Sequence, residues 1–98
     1  VDGVSDRSLK DAIVPIEYAV TPKLMALTAY TFHLKKDPTK TRRFGLMADE
    51  VLEELAEAVH EMDEGKKSIY YKDLVAVLVK GFEEQQIEIE NIKSEILN

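Results

Sequence analysis

The sequence predicts an α+β domain in which a small β-hairpin and short helices lead into one long carboxy-terminal helix that forms a trimeric coiled coil. Three observations carry this. Between Tyr30 and Leu46 apolar and polar residues alternate with the period of a half-buried hairpin. Start and stripe signals at Thr21-Pro22 and over residues 48–57 mark short helices. From about Lys72 onward no proline interrupts the chain, and apolar residues recur at alternating steps of three and four, a heptad seam.

Length and composition narrow the function. A chain of 98 residues makes one small domain with a thin core of its own. With 45% hydrophobic and 33% charged residues it is globular or coiled-coil-like rather than disordered. A net charge of -6 argues against a nucleic-acid partner. The absence of cysteine excludes a disulfide framework and a thiolate metal site. No apolar run approaches the roughly 18 residues that span a bilayer, so no membrane partner is expected. A chain beginning at Val1 is read as a fragment, so the lack of a signal peptide decides nothing. His33 and His60 stand alone, without metal-site spacing. The acidic residues Glu53, Glu54, Glu57, Glu61, Asp63 and Glu64 lack the calcium-loop spacing and read as a solvated face. No glycine-rich phosphate loop occurs, and no cofactor or metal is expected.

The elements follow in order. Asp2-Gly3 is a turn pair. Ser5 opens one or two helical turns, with Leu9, Ala12 and Ile13 at helical spacing and Pro15 ending the run. Residues 14–20 alternate loosely, as a short strand would. Thr21 caps a short helix with Pro22 at its first position, and Leu24, Met25 and Leu27 form its buried face. Tyr30, Phe32 and Leu34 then share one face of a strand. Residues 36–40 turn the chain, and residues 41–47 return with Phe44 and Leu46 inward. Gly45 between them leaves no side chain on its face, so another backbone is expected to pass close there. Residues 48–57 are helical, with a stripe of Val51, Leu52 and Leu55, and with Asp49 and Glu50 at the positive end of the dipole. Residues 58–61 either extend that helix or begin a strand. Asp63-Glu64-Gly65 is a turn, and residues 68–71 form a short strand.

The last helix carries Val75, Phe82, Ile89 and Ile96 at a, and Leu78, Gln85 and Ile92 at d. Isoleucine at a, d and a in succession favours three strands or more, and the single polar layer at Gln85 sets register. Gly81 is its weak point. At about 1.5 Å per residue the helix is roughly 40 Å long, too long for so small a body to cover, so its far half needs partners in other chains.

Chemistry is concentrated at the amino end. Ser5 and Lys10, with Asp6 beside the serine, can be a nucleophile and its base, provided that burial lowers the lysine's pKa. They also fit a helix N-cap and a solvated lysine. Residues five apart do not share a face of a straight helix, so the amino end must bend or Lys10 must arrive from another chain. Asp6 either orients Lys10 or an arginine, or simply favours the dipole. Glu50 either anchors the Ser5 segment or is a helix-start carboxylate. Arg42 and Arg43 either pair across a subunit boundary or end a strand in solvent.

Three blocks together resemble one family. These are Ser5-Asp6-Arg7-Ser8-Leu9-Lys10-Asp11-Ala12-Ile13, Phe44-Gly45-Leu46-Met47-Ala48-Asp49-Glu50-Val51, and Tyr70-Tyr71-Lys72-Asp73-Leu74-Val75-Ala76-Val77-Leu78. In that order they are similar to the self-cleaving intramolecular chaperone domain of the peptidase S74 type, found at the end of phage tail spikes, tail fibres and endosialidases. A relative occurs in membrane-tethered transcription factors. The chain departs from the pattern at Asp49, where glutamine is usual, at Arg42 and Arg43, where a histidine is often seen, and at Ala56, where a proline commonly stands.

The resemblance implies a homotrimer that drives folding of an upstream fibre segment of the same polypeptide and then releases itself. It implies Ser5 as nucleophile, Lys10 as base and Val4–Ser5 as the scissile bond, with Asp6, Gly45 and Glu50 in support. Residues 1–4 would be the remnant of the fibre, 5–71 the auto-processing core and 72–98 the coiled-coil helix. The setting would be the host bacterial cytoplasm during phage assembly, with the domain absent from the mature virion protein. Two alternatives are a trimerisation cap that stays attached and the self-cleaving module of a membrane-tethered transcription factor.

Overall fold

The computed structural model describes residues 3–97; the Val1-Asp2 part of the lead-in lies outside them. The architecture is α+β, with two small antiparallel hairpins rather than the single one expected, and a long carboxy-terminal helix. Residues 3–20 hold no regular element except a 3-10 turn, Arg7–Leu9. The strand expected over residues 14–20 does not form. Its loose alternation reflects two residues turned toward the body, Ile16 partly covered and Val20 fully buried.

Helix α1 is Thr21–Met25. Thr21 sits inside its first turn, so the expected threonine cap is displaced, and Val20 at the cap position supplies no side-chain acceptor. Glu84 supplies it instead, from 63 residues away along the chain. Its carboxylate accepts from Val20 N at 3.0 Å, Thr21 N at 2.9 Å and Thr21 Oγ1 at 2.7 Å. These bonds hold the Glu84 carboxyl below the usual glutamate range, with Thr21 the largest cause. A carboxyl depressed by folding stabilises above its unfolded value, and that contribution is lost as pH falls through the folded one. Wild-type thermal stability is therefore expected to decline on acidification through and below the ordinary glutamate range. Glu84→Gln should flatten part of that decline in pH-dependent melting, whereas Glu83→Gln, on the exposed neighbouring position, should not.

Strands β1 (Tyr30–Phe32) and β2 (Arg43–Gly45) pair with Tyr30 opposite Gly45, Thr31 opposite Phe44 and Phe32 opposite Arg43. Directly opposite residues share a face. Gly45 therefore joins Tyr30 and Phe32 on the inner face, and Phe44 joins Thr31 on the outer one, 88% exposed. The expected inward Phe44 is one residue out of phase, which in a strand exchanges the two faces. The reason is steric: a Cβ on Gly45 would lie 2.9 Å from Phe32 Cε1. Phe32 fills the space a side chain at 45 would need. Leu34 lies past the end of β1 and is exposed, as is Met25 at the end of α1. The connecting loop is closed by Asp37, which accepts from Thr39 N, Thr39 Oγ1 and Thr41 N.

Helix α2 (Ala48–Glu54) is shorter than expected, stopping at Leu55, whose φ of -139° and ψ of 68° leave the helical region. Val51 and Leu55 are buried, but Leu52 faces out. A 3-10 turn, Ala56–Ala58, leads into β3 (Val59–Glu61), which resolves the open alternative at residue 58 in favour of a strand. Strand β4 (Lys67–Ile69) returns antiparallel, with Val59 opposite Ile69. Between them Glu64 and Gly65 both take positive φ. The His60 ring stacks on Tyr70 with centroids 4.4 Å apart.

Helix α3 (Tyr71–Leu97) is about 40 Å long and contributes to the 58 Å long axis of the molecule. One row of it, Leu74, Val77 and Gly81, is buried against α1 and the Ala56–Ala58 turn, and Glu84 continues that row. Gly81 is a contact rather than a weak point. A Cβ there would lie 2.5 Å from Leu24 Cδ1 and 3.7 Å from Val20 Cγ2. Val20, Val51, Leu55, Ala58, Leu74 and Val77 make up the whole buried apolar core among the described residues.

Candidate active site

Ser5, Asp6 and Lys10 lie on the strap that precedes the body, and their placement follows from local hydrogen bonding. Asp6 is the N-cap of the Arg7–Leu9 turn; its Oδ1 accepts from Ser8 N at 2.8 Å and from Ser8 Oγ at 2.7 Å. Leu9 N and Lys10 N complete the turn by donating to Asp6 O and Arg7 O, each at 3.1 Å. A 3-10 turn carries about three residues per turn. Lys10 then leaves it with extended dihedrals, φ -122° and ψ 143°. That break turns the Lys10 side chain back along the strap, and its Nζ donates to Ser5 Oγ. The two residues thus meet within one chain, through a bend, one of the two routes that their spacing left open. Ala12 follows with φ +52°, in the left-handed region.

Asp6 is engaged by Ser8 rather than by Lys10 or an arginine, and Ser8 holds its carboxyl below the ordinary aspartate value. Ser5 and Lys10 are exposed, as is every residue from Gly3 to Pro15. The apolar Val4, Leu9, Ile13 and Val14 are bare along with them. Two clefts are notable for not including the pair. One, of about 570 Å³, is lined by Glu17, Tyr18, Lys80, Glu84 and Glu88. The other is an apolar trough of about 300 Å³ lined by Leu24, Leu27, Leu46, Leu74 and Leu78. Among the described residues no three histidine or acidic side chains gather as a metal site, and no helix is long and apolar enough to cross a membrane.

The other candidate residues lie around the first hairpin. Glu50 accepts from the Tyr30 hydroxyl at 2.6 Å, so its carboxylate ties α2 to β1. The same contact pushes the Tyr30 phenol above its ordinary value. Arg42 bonds across the hairpin to Thr31 Oγ1 at 2.9 Å. Gly45 lies under Phe32, with the Tyr71 hydroxyl 3.4 Å from its Cβ direction, and that hydroxyl also accepts from Leu46 N at 3.4 Å. Gly45→Val would displace the Phe32 ring and break the link from the hairpin to α3. Overpacking of this kind costs about 1–3 kcal/mol. Denaturant melts should show that loss, and sedimentation should show less assembled protein. A variant that assembles normally yet fails to process would give Gly45 a part in the chemistry instead.

The heptad residues Val75, Leu78, Phe82, Ile89, Ile92 and Ile96 are all exposed, between 45% and 76%. They form the row next to the one α3 buries in its own chain. Gln85 stands in the same row, its Nε2 3.4 Å from Thr21 Oγ1. Leu78 is shared between this row and the apolar trough.

The family model for Peptidase_S74, described as chaperone of endosialidase, matches residues 5–60. The chain belongs to this family. The match spans more than half of the sequence, from Ser5 through both strands of the first hairpin, α2 and the start of the second hairpin. Membership in the endosialidase-chaperone family brings an intramolecular-chaperone role and a peptidase-related domain. The α3 seam lies beyond the matched residues. No curated relative and no solved structure matches the chain.

Two residues of this endosialidase-chaperone domain escaped the sequence reading. Ser8 carries a weak signal, an aspartate two residues before a serine, the spacing of a local side-chain cap. Glu84 carries none, being one of many glutamates on a glutamate-rich helix.

Proposed function

We propose that this domain is the carboxy-terminal intramolecular chaperone of a trimeric phage tail spike or fibre, and that it releases itself by autoproteolysis at Val4–Ser5. The observation that carries the cleavage reading is the Lys10 Nζ contact to Ser5 Oγ, one residue from the bond to be cut. Neutral Lys10 takes the hydroxyl proton as Ser5 Oγ attacks the Val4 carbonyl carbon. The Ser5 nitrogen leaves with that proton, and an ester joins the Val4 carbonyl to Ser5 Oγ. Water hydrolyses the ester, leaving a Val4 carboxylate and a free Ser5 amine. Nucleophile and carbonyl are neighbours in one chain, so little entropy is lost in bringing them together.

Exposure gives the reaction its timing. A solvated lysine remains an ammonium and cannot accept a proton; desolvation favours the amine. The strap is bare in the single chain, so the cover must come from neighbouring subunits. Three chains zipped along the Val75–Ile96 row would provide that cover and place three upstream segments together. The reading places the domain in the host bacterial cytoplasm during assembly, with the upstream fibre segment as its partner and client. The direct test expresses the domain with its natural upstream segment. The expected result is two products, the smaller beginning Ser-Asp-Arg-Ser and sedimenting as a trimer. A single uncleaved product would identify a retained cap, and a dimer or monomer mass would overturn the threefold reading.

A further inference from the structure

The strap raises a question of support. Every residue from Gly3 to Pro15 is exposed, so packing within the chain does not hold Lys10 on Ser5. Local hydrogen bonds must do it, and a single helical turn is costly to nucleate. The side-chain bonds that hold this turn come from Asp6, whose Oδ1 takes both the backbone N–H and the hydroxyl of Ser8, at 2.8 Å and 2.7 Å.

We propose that Asp6 is the positioning residue of the Ser5–Lys10 pair, acting through Ser8 as a latch on the Arg7–Leu9 turn and passing neither charge nor proton to Lys10. The inference rests on the autoproteolytic reading above. Two features favour a latch over a charge role. Asp6 Oδ1 is taken by the backbone N–H and the hydroxyl of Ser8, while the Lys10 amine bonds Ser5. A carboxylate paired with the lysine would also hold it as an ammonium, the form that cannot act as a base. Engaging Asp6 with Ser8 keeps that counter-ion off Lys10 while the closed turn sets where Lys10 emerges.

Asparagine caps a turn about as well as aspartate but carries no charge, whereas alanine does neither. Full-length precursor, with its upstream segment, is followed by the rate of processing for wild type, Asp6→Asn, Asp6→Ala, Ser8→Ala and Ser5→Ala. The latch predicts that Asp6→Asn stays within about twofold of wild type with an unchanged pH profile, and that Asp6→Ala slows processing about five- to tenfold. Ser8→Ala keeps the backbone N–H bond and should fall between the two. Assembly mass should not change, because the row proposed to join the chains lies on α3 and not on the strap. An asparagine variant as slow as alanine, or with a displaced pH profile, overturns the latch in favour of charge. An alanine variant as fast as wild type overturns it outright. Processing of Ser5→Ala would instead sink the dyad. In the absence of any processing, amide hydrogen exchange at Ser8 and Leu9 still decides the latch: protection must survive Asp6→Asn and be lost in Asp6→Ala, and equal exchange in both refutes it.

Discussion

Ile89→Asp combined with Ile92→Asp is expected to convert the assembled domain into a folded monomer that no longer processes itself. From Gln85 to Leu97 every residue of α3 is exposed, so these positions contribute nothing to the core of their own chain. The fold around Val20, Val51, Leu55 and Leu74 should therefore keep its secondary structure and its melting behaviour as a monomer. At a threefold seam the same change would bring six carboxylates to one axis, and burying unpaired charge costs several kcal/mol for each. Ile87 provides the control. It is also apolar and 54% exposed, but it falls at f in the heptad, on the side away from the seam. Ile87→Asp should remain trimeric and active. Sedimentation read beside the processing assay separates the claims. A trimeric double variant would overturn the seam, and a monomeric one that still cuts would overturn the coupling of cleavage to assembly.

Ser5→Ala and Lys10→Arg are each expected to abolish processing, by about a thousandfold or more, while leaving assembly intact. The serine hydroxyl lies on a strap that is exposed in the single chain and supports no packing there, so its loss should leave the fold intact. Arginine preserves the positive charge and the donors that reach Ser5, but it stays protonated at any pH a protein survives and cannot serve as a base. That makes it a sharper test than alanine: if the lysine only holds the strap in place, arginine should do nearly as well. Mass spectrometry of the expressed precursor reads both outcomes. Complete processing of either variant would remove the dyad mechanism.

What could be seen in the sequence, and what could not, divides along the range of the interactions. The α3 helix and the phase of its outer row are legible because seven positions repeat over more than twenty residues. A close approach at Gly45 is legible because a missing side chain in an apolar block implies a neighbour, but that neighbour is the Phe32 ring and not the backbone that the sequence suggests. The phase of β2 is not, because a three-residue strand holds too few periods to distinguish inward from outward, and Phe44 looks like a core residue until Phe32 is seen to occupy the space over Gly45. The second hairpin was half hidden because Ala58 and Val59 suit helix and strand alike. The spacing of Ser5 and Lys10 leaves either a bend or a second chain to bring them together; the means found, a 3-10 turn whose Ser8 bonds Asp6, is a matter of hydroxyl geometry. Glu84 was invisible because its partners, Val20 and Thr21, lie more than sixty residues away.

That glutamate has a consequence for geometry upstream. By gripping the backbone of Val20 and Thr21, Glu84 fixes the axial height on α3 at which the chain departs toward Pro15 and the strap. In a parallel three-helix bundle, symmetry repeats that height three times. Three departing chains would then leave at one level with zero stagger, so that residue n of each faces residue n of the others. Under the proposed threefold assembly, a carboxylate that clips each chain to its own helix at a common mark would act as a ruler for whatever lies upstream.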